Sequence, residues 1–270
     1  MILVTGASGT AGGAVLAALK GRADALAATR EEPGPGQRRF DLADPATYAA
    51  ALDGVRGLFL MLPPGLPKAC QRFRALLAQA KTQAVERVAF LSVRNADRLP
   101  FLPHRRLERE IEASGLAWTH LRPNDFMQNF ATVDLYREGV RAGRLVGPGG
   151  KSRTSYIDVR DMGDAAARVL TEPGHENRAY PLTGPEPLTL PEVAQAISAA
   201  LDRPIRAETP SLPGFYRHAR RAGAPRPLAL VMTSIGLIAR LRLADGVDPP
   251  LSERPRTIHD FARDHAEVWR

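Results

Sequence analysis

The chain is poor in cysteine and lacks any long apolar run. One thiol, Cys70, among 270 residues excludes an intramolecular disulfide and fits a reducing, cytoplasmic setting. It falls in a predicted helix with no second cysteine near it, which reads as packing. No apolar run is long enough to span a bilayer, so no membrane partner is expected. No basic segment precedes the first apolar residues, so no signal peptide is expected either. The six histidines have no zinc-ligand spacing, and no metal site is predicted. Internal repeats and low-complexity tracts are missing as well.

Charge is less balanced. The net charge of +8 invites a nucleic-acid partner. The arginines are scattered, however, and no nucleic-acid-binding motif accompanies them. Arg217-His218-Ala219-Arg220-Arg221 is the best candidate for an anionic partner, and reads as a solvated helix face. A length of 270 residues suffices for one large α/β domain, or a dinucleotide domain with a smaller lobe.

The most informative stretch is Val4-Thr5-Gly6-Ala7-Ser8-Gly9-Thr10-Ala11-Gly12-Gly13. An apolar strand runs into glycines spaced three apart and then into an alanine-rich helix, the context in which a glycine fingerprint binds a dinucleotide. Gly6 makes the tight turn and Gly9 lets backbone N–H groups approach a pyrophosphate. Gly12 or Gly13 lets the helix pack closely, and Ser8 and Thr10 add hydroxyl donors. Ala11 lies in the same first turn.

Strand and helix patterns then alternate. Strands are predicted at Ala25–Thr29, Arg39–Leu42, Gly57–Leu62, Arg87–Ser92 and Ala117–Leu121. Helices are predicted from Asp44-Pro45 to Leu52, from Pro63-Pro64-Gly65 to Ala84, and over His104–Ser114, where Gly115 stops the helix. This alternation implies a doubly wound parallel sheet, a Rossmann α/β fold. The ends of the strands place Gly6–Gly12, Arg30, Asp41-Leu42, Leu62-Pro63 and Ser92 along one edge. Residues 1–123 are read as the dinucleotide-binding core. Residues 124–270 supply the rest of the sheet and a smaller substrate-side lobe, not an independent domain. There a helix is predicted over Asn124–Tyr136, a loop over Gly143–Gly150, and an extended piece at Ser155–Val159. Further elements are a helix Asp161–Leu170, a strand Arg178–Thr183, a helix Pro191–Leu201, a strand Ile205–Glu208 and a last helix Thr257–Trp269.

Arg30 follows the second strand where an acidic residue would bind a ribose 2′-hydroxyl. A guanidinium there accommodates a 2′-phosphate, which favours NADP(H) over NAD(H). Glu31 and Glu32 would oppose it if they pointed inward. Asp41 reads either as a contact to the adenine amino group, with Leu42 beneath the ring, or as a strand-end cap.

Gly6-x-x-Gly9-x-x-Gly12, Leu121-Arg122-Pro123-x-x-Phe126-Met127-x-Asn129-Phe130, Tyr156-Ile157-Asp158-Val159-Arg160-Asp161 and Leu182-Thr183-Gly184-Pro185-Glu186 follow one another in this order. With them the chain closely resembles the NmrA-like group of atypical short-chain dehydrogenase/reductases, which includes NAD(P)H-dependent quinone oxidoreductases. The resemblance implies NADP(H) in the groove and a C-terminal lobe over the substrate. It implies no single activity, because the group also holds proteins that only sense the NADP(H) balance.

Ordinary short-chain dehydrogenases donate a proton from a Tyr-x-x-x-Lys pair. The helix expected to carry it reads His104-Arg105-Arg106-Leu107-Glu108-Arg109-Glu110-Ile111-Glu112 and has neither residue. Tyr156-x-x-x-Arg160 has the spacing but lies after the sixth strand. His104 is the leading substitute as proton donor or substrate contact. Ser92 is a candidate contact to the nicotinamide or substrate. Phe126, Asn129 and Tyr156 are candidates for the substrate side. The expected activity is hydride transfer from NADPH to a quinone, enone or similar conjugated small molecule. The alternative is a non-catalytic NADP(H)-sensing regulatory protein, and an epimerase or dehydratase is weaker without the tyrosine. A homodimer is an open possibility.

Overall fold

The computed structural model describes residues 1–63, 65–251 and 254–270. Its strands are β1 (Ile2–Val4), β2 (Ala25–Thr29), β3 (Gln37–Arg39), β4 (Gly57–Met61), β5 (Arg87–Leu91), β6 (Ala117–Pro123), β7 (Arg144–Val146), β8 (Arg178–Leu182) and β9 (Arg206–Glu208). The chain divides into two compact units. The first is Met1–Pro123 with Val159–Leu182, and the second is Asn124–Asp158 with Thr183–Arg270.

Among the described residues, seven strands of the first unit form one sheet in the order β3-β2-β1-β4-β5-β6-β8, every neighbouring pair parallel. This is a Rossmann-type α/β sheet. The chain steps outward from β1 to β3, then returns to lay β4 on the other side of β1, so the switch point lies between those two strands. The central strands are buried runs because helices cover both faces. Leu3, Leu58, Leu60, Val88 and Phe90 point to one face. There they meet Phe73, Leu76 and Leu77 of the helix Ala69–Thr82 and Leu107 and Ile111 of the helix Pro103–Glu112. Alternation sends Gly57 and Phe59 to the opposite face, where a Cβ at Gly57 would lie 3.5 Å from Leu170 of the helix Val159–Thr171. That helix approaches the helix Thr10–Leu19 so closely that a Cβ at Gly163 would lie 2.7 Å from the Ala14 carbonyl oxygen.

Three expectations in this unit shift. The third strand is Gln37–Arg39, not Arg39–Leu42, because Thr29 pairs with Arg39 and the chain then turns. Phe40 donates its N–H to Thr29 O, and Phe40 and Leu42 drop into the core. Beyond it, Asp44 caps a short 3₁₀ turn, Pro45–Thr47, before the helix Tyr48–Leu52. The helix predicted from residue 65 onward begins only at Ala69; Pro64 lies outside the described residues.

In the second unit the predicted helix Asn124–Tyr136 is broken. Phe126 bridges Ile157, with Met127 N–H donating to Ile157 O and Ile157 N–H to Asp125 O, which keeps Phe126 out of helix and turns the chain only at Met127. Helix resumes only over Asn129–Thr132 and Asp134–Arg141. The predicted loop after Gly143 contains β7, which pairs with β9 in parallel. The last helix is interrupted at His265, giving Ile258–Asp264 and Ala266–Trp269. Phe130, Val193, Ile197, Phe261 and Trp269 centre this unit's core, and Trp269 donates its indole N–H to Phe130 O at 3.0 Å.

Candidate functional site

The glycine loop closes the C-terminal end of β1. Gly6 has φ +64°, the left-handed conformation that favours glycine, and Gly9 N–H donates to Gly6 O at 2.9 Å. A Cβ at Gly12 would stand 2.2 Å from Gly6 O, whereas one at Gly13 would meet only ordinary contact at 3.6 Å. Gly12, not Gly13, is therefore the residue that seats the helix on the loop. Ser8, Gly9 and Thr10 are exposed, while Ala11 and Gly12 are buried behind them. The helix begins after Gly9, without a side-chain cap and without an acidic residue in its first turn. Its positive end thus has no carboxylate of its own in that turn. Thr5, which the motif reading passed over, spans the switch point: its hydroxyl accepts from Met61 N–H at 3.2 Å.

Around this loop the other strand ends follow in order. Arg30 comes directly after β2 and is exposed, as are Glu31 and Glu32. Asp41 is half-buried, and its Oδ1 accepts from Ala43 N–H at 2.8 Å while its own N–H donates to Thr47 Oγ1 at 3.1 Å. Its carboxylate therefore serves the turn after β3. Leu42 belongs to the core, with its carbonyl taken by the Tyr48 hydroxyl at 2.7 Å, so its side chain packs inward. Leu62 and Pro63 follow β4, both half-buried.

Ser92, at the end of β5, is buried and joined to a charged cluster. Its hydroxyl donates to Glu108 Oε1 at 2.7 Å. Arg122 holds the same carboxylate with two bonds, Nε to Oε1 at 2.8 Å and Nη2 to Oε2 at 2.9 Å. Arg105 Nη1 reaches Glu108 Oε2 at 3.0 Å and Glu112 Oε1 at 2.7 Å. Burial alone would raise the Glu108 pKa. The hydrogen bonds from Arg122 and Ser92 outweigh it and hold the carboxyl below its ordinary value. Glu108, Glu112 and His120 offer ligand atoms within 4.8 Å of one another, but the cation lying between the two carboxylates is Arg105.

His120 is buried against Trp118, stacked at 4.3 Å, and edge-on to Phe90 at 6.0 Å. Its Nε2 lies 3.3 Å from Glu112 Oε1, a contact that favours the charged ring, but burial outweighs it and pushes the pKa down to about 4. His104 sits in the first turn of the helix Pro103–Glu112 with its ring 6.3 Å from that of Phe90. Burial lowers its pKa and Glu108 opposes this, so the imidazole is neutral at pH 7. It offers an N–H hydrogen bond there, not a cationic acid. Sequence reasoning did not single out Glu108 or His120. The available signal was a carboxylate flanked by arginines at helical spacing beside Leu107 and Ile111.

The substrate-side candidates lie in the second unit. Asn129 donates its amide to Asp125 Oδ1 at 2.6 Å, and Tyr156 packs edge-on to Phe130 at 5.1 Å. Asp125, Tyr136, Tyr156 and Gly147–Gly150 line a cavity of about 40 Å³, room for a few waters. Burial raises the Asp125 carboxyl to about 6 against the bonds from Asn129 and Phe126 N–H. Burial and Asp125 keep the Tyr136 and Tyr156 phenols protonated. Phe126 is engaged in its bridge to Ile157 and does not line this cavity.

The model of the NmrA-like family matches residues 1–238. The chain belongs to that family. It is 36% identical to an NAD(P)H azoreductase of Xenophilus azovorans over all of this chain and 99% of that protein. Among solved structures, the triphenylmethane reductase of Citrobacter sp., complexed with NADP(H), aligns with a TM-score of 0.86 and 24% identity, covering 98% of this chain and 99% of the other. An NADPH-dependent quinone oxidoreductase of Escherichia coli, complexed with NADPH, gives 0.86 and 24% over 97% and 98%.

Proposed function

We propose that this NmrA-like protein is an NADPH-dependent reductase of conjugated small molecules, quinones, enones and their like. The observation that carries the reading is the close seat of Gly12 on Gly6, which brings a helix N-terminus free of first-turn carboxylates to the switch point. Those amides suit a pyrophosphate, and the exposed Arg30 fork suits a 2′-phosphate. Relatives named as an azoreductase and a quinone oxidoreductase support the same class.

When bound, the nicotinamide supplies the hydride. The protein's own part is orientation and hydrogen bonding. With its hydrogen committed to Glu108, the Ser92 oxygen presents lone pairs and serves as an acceptor. The neutral His104 N–H can stabilise negative charge arising on an acceptor oxygen. Conjugated acceptors fit a helix that has no tyrosine or lysine, because they place the new charge on an oxygen that hydrogen bonds can stabilise.

The test is oxidation of NADPH, followed by absorbance, on addition of a panel of quinones and enones to purified protein. Turnover with any of them supports the reading. Retained cofactor affinity without oxidation by any acceptor would favour the second reading, an NADP(H) sensor, which the missing Tyr-x-x-x-Lys pair supports.

A further inference from the structure

The helix Arg226–Arg240 in the second unit is packed inside out. Its buried positions are Ala229, Met232, Gly236 and Ala239, three of the four small. A Cβ at Gly236 would lie 2.3 Å from Pro148, so the helix sits tightly on that narrow stripe. The large apolar side chains point the other way. Leu228, Leu230, Val231, Ile235 and Leu237 are between 41% and 57% exposed, and Leu241, just past the last turn, is 61% exposed. At helical spacing these residues, with Ser234 between them, cover about half the circumference. Elsewhere among the described residues only Met1, Phe101 and Val247 are exposed large hydrophobics. The apolar exposure is thus concentrated on one helix.

Charge is concentrated there too. From Thr209 to Ala244 the sequence holds Arg217, Arg220, Arg221, Arg226, Arg240 and Arg242, and no Asp or Glu. All six are exposed by residue, but the Arg240 guanidinium is turned inward onto Pro148 O and Pro210 O, whereas Arg217 lines a common groove with Leu230. A contact with a second copy across a two-fold axis would set this arginine-rich face against itself, with no carboxylate in the stretch to separate the charges. A nucleic acid would meet the arginines and leave the leucine and isoleucine surface in water. One partner satisfies both: a bilayer surface, whose acyl boundary takes the apolar half while anionic headgroups meet the guanidinium groups.

We propose that this face docks the protein on an anionic membrane, with the helix Arg226–Arg240 lying in the interface plane. The helix has 15 residues, and no helix of the described residues is long and apolar enough to cross a membrane. This departs from the expectation of no membrane partner, which addressed spanning segments. It does not depend on the reductase reading.

The test is flotation of the full chain with phosphatidylcholine vesicles, with and without phosphatidylglycerol. Binding should rise at least about tenfold with the anionic lipid and fall in high salt. Arg217→Glu with Arg221→Glu, and separately Leu230→Ser with Leu237→Ser, should each remove most of it while circular dichroism and cofactor affinity stay unchanged. Equal binding to both vesicle types, or to neither, overturns the proposal. So does a wild-type dimer in light scattering that Leu230→Ser with Leu237→Ser converts to monomer, since the face is then an interface between copies.

Discussion

Ser92 and Glu108 are joined by a 2.7 Å hydrogen bond in which the serine hydroxyl is the donor, while Arg122 closes on the same carboxylate with two more. The bond couples the end of β5 to a fully buried charge. Removing that charge leaves Arg122 with only the more exposed Asp97 and Arg105 with only Glu112. Glu108→Ala should cost about 3–5 kcal/mol in denaturant unfolding, the range for breaking a buried ion pair. Ser92→Ala leaves the guanidinium groups paired and should cost about 1 kcal/mol. Because the folded carboxyl lies below its ordinary value, the Glu108 contribution is present above pH 4.5 and is lost as pH falls through the folded pKa. A Glu108→Ala protein as stable as wild type at pH 7 would contradict this assignment.

Gly12 and Gly13 are neighbours with opposite tolerances. A methyl at position 12 meets the Gly6 carbonyl at 2.2 Å, and backbone cannot swing aside as a side chain can. Gly12→Ala should displace the loop and weaken NADPH binding at least about tenfold, a loss of about 1.4 kcal/mol. A methyl at position 13 has ordinary contact, and helix propensity should make Gly13→Ala neutral or more stable by up to about 1 kcal/mol. Calorimetric titration and thermal unfolding of the pair separate the two roles.

The sequence carried the sheet because β1, β4 and β5 are continuous apolar runs, and burial on both faces leaves such runs one reading. It misplaced β3 because Gln37-Arg38-Arg39 is polar at the sheet edge, while the apolar Phe40 and Leu42 beside it belong to the core. The Asp125–Ile157 pairing was hidden for another reason. It joins residues far apart in the chain, and no local pattern in Asn124–Tyr136 reports on it. The strand-end positions of the glycines, Arg30 and Ser92 were legible. The partner of Ser92 was not, since Glu108 reads as one more charge on a charged helix until its burial is known.

Arg30 should set the preference between the two nicotinamide cofactors. A charge-assisted contact to the 2′-phosphate contributes about 1.5–3 kcal/mol, so Arg30→Ala should weaken NADPH binding about ten- to a hundredfold. Affinity for NADH should stay within about twofold, since the 2′-hydroxyl gains nothing from a guanidinium beside Glu31 and Glu32. Parallel titrations with both cofactors measure the ratio. An unchanged ratio would take the 2′-phosphate away from Arg30.

His104 should act on turnover and not on cofactor affinity. With its pKa lowered by burial, the imidazole is already neutral at pH 7, so a rate that depends on its N–H should be flat above pH 7. His104→Ala should reduce quinone turnover about tenfold or more, the lower range for a positioned proton donor. The same kcat across a quinone panel would leave His104 as a packing residue against Phe90.

His120 makes the sharpest pH prediction, because burial holds it neutral while the unfolded chain leaves it free to charge. Its folded pKa of about 4 lies below the ordinary value of 6.5, so the unfolded state takes up its proton first as the solution is acidified. Stability from this group is undiminished above pH 6.5 and falls between 6.5 and 4, by up to about 3 kcal/mol. Phe90 and Trp118 flank the ring, and the 3.3 Å contact from Nε2 to Glu112 Oε1 offsets only part of the burial, since the folded pKa stays at about 4. His120→Phe should therefore flatten this part of the curve and leave the protein more stable than wild type at pH 5. Asp125 runs the opposite way over an overlapping range. Its carboxyl, raised from 3.8 to about 6, favours the folded state when neutral, so its penalty grows as pH rises through that window. Asp125→Asn should thus raise stability at pH 7.5 and change little at pH 3.5. Urea titrations of the two variants between pH 4 and pH 7.5 should show gains at opposite ends, and a gain for both at the same end would reject the burial assignments.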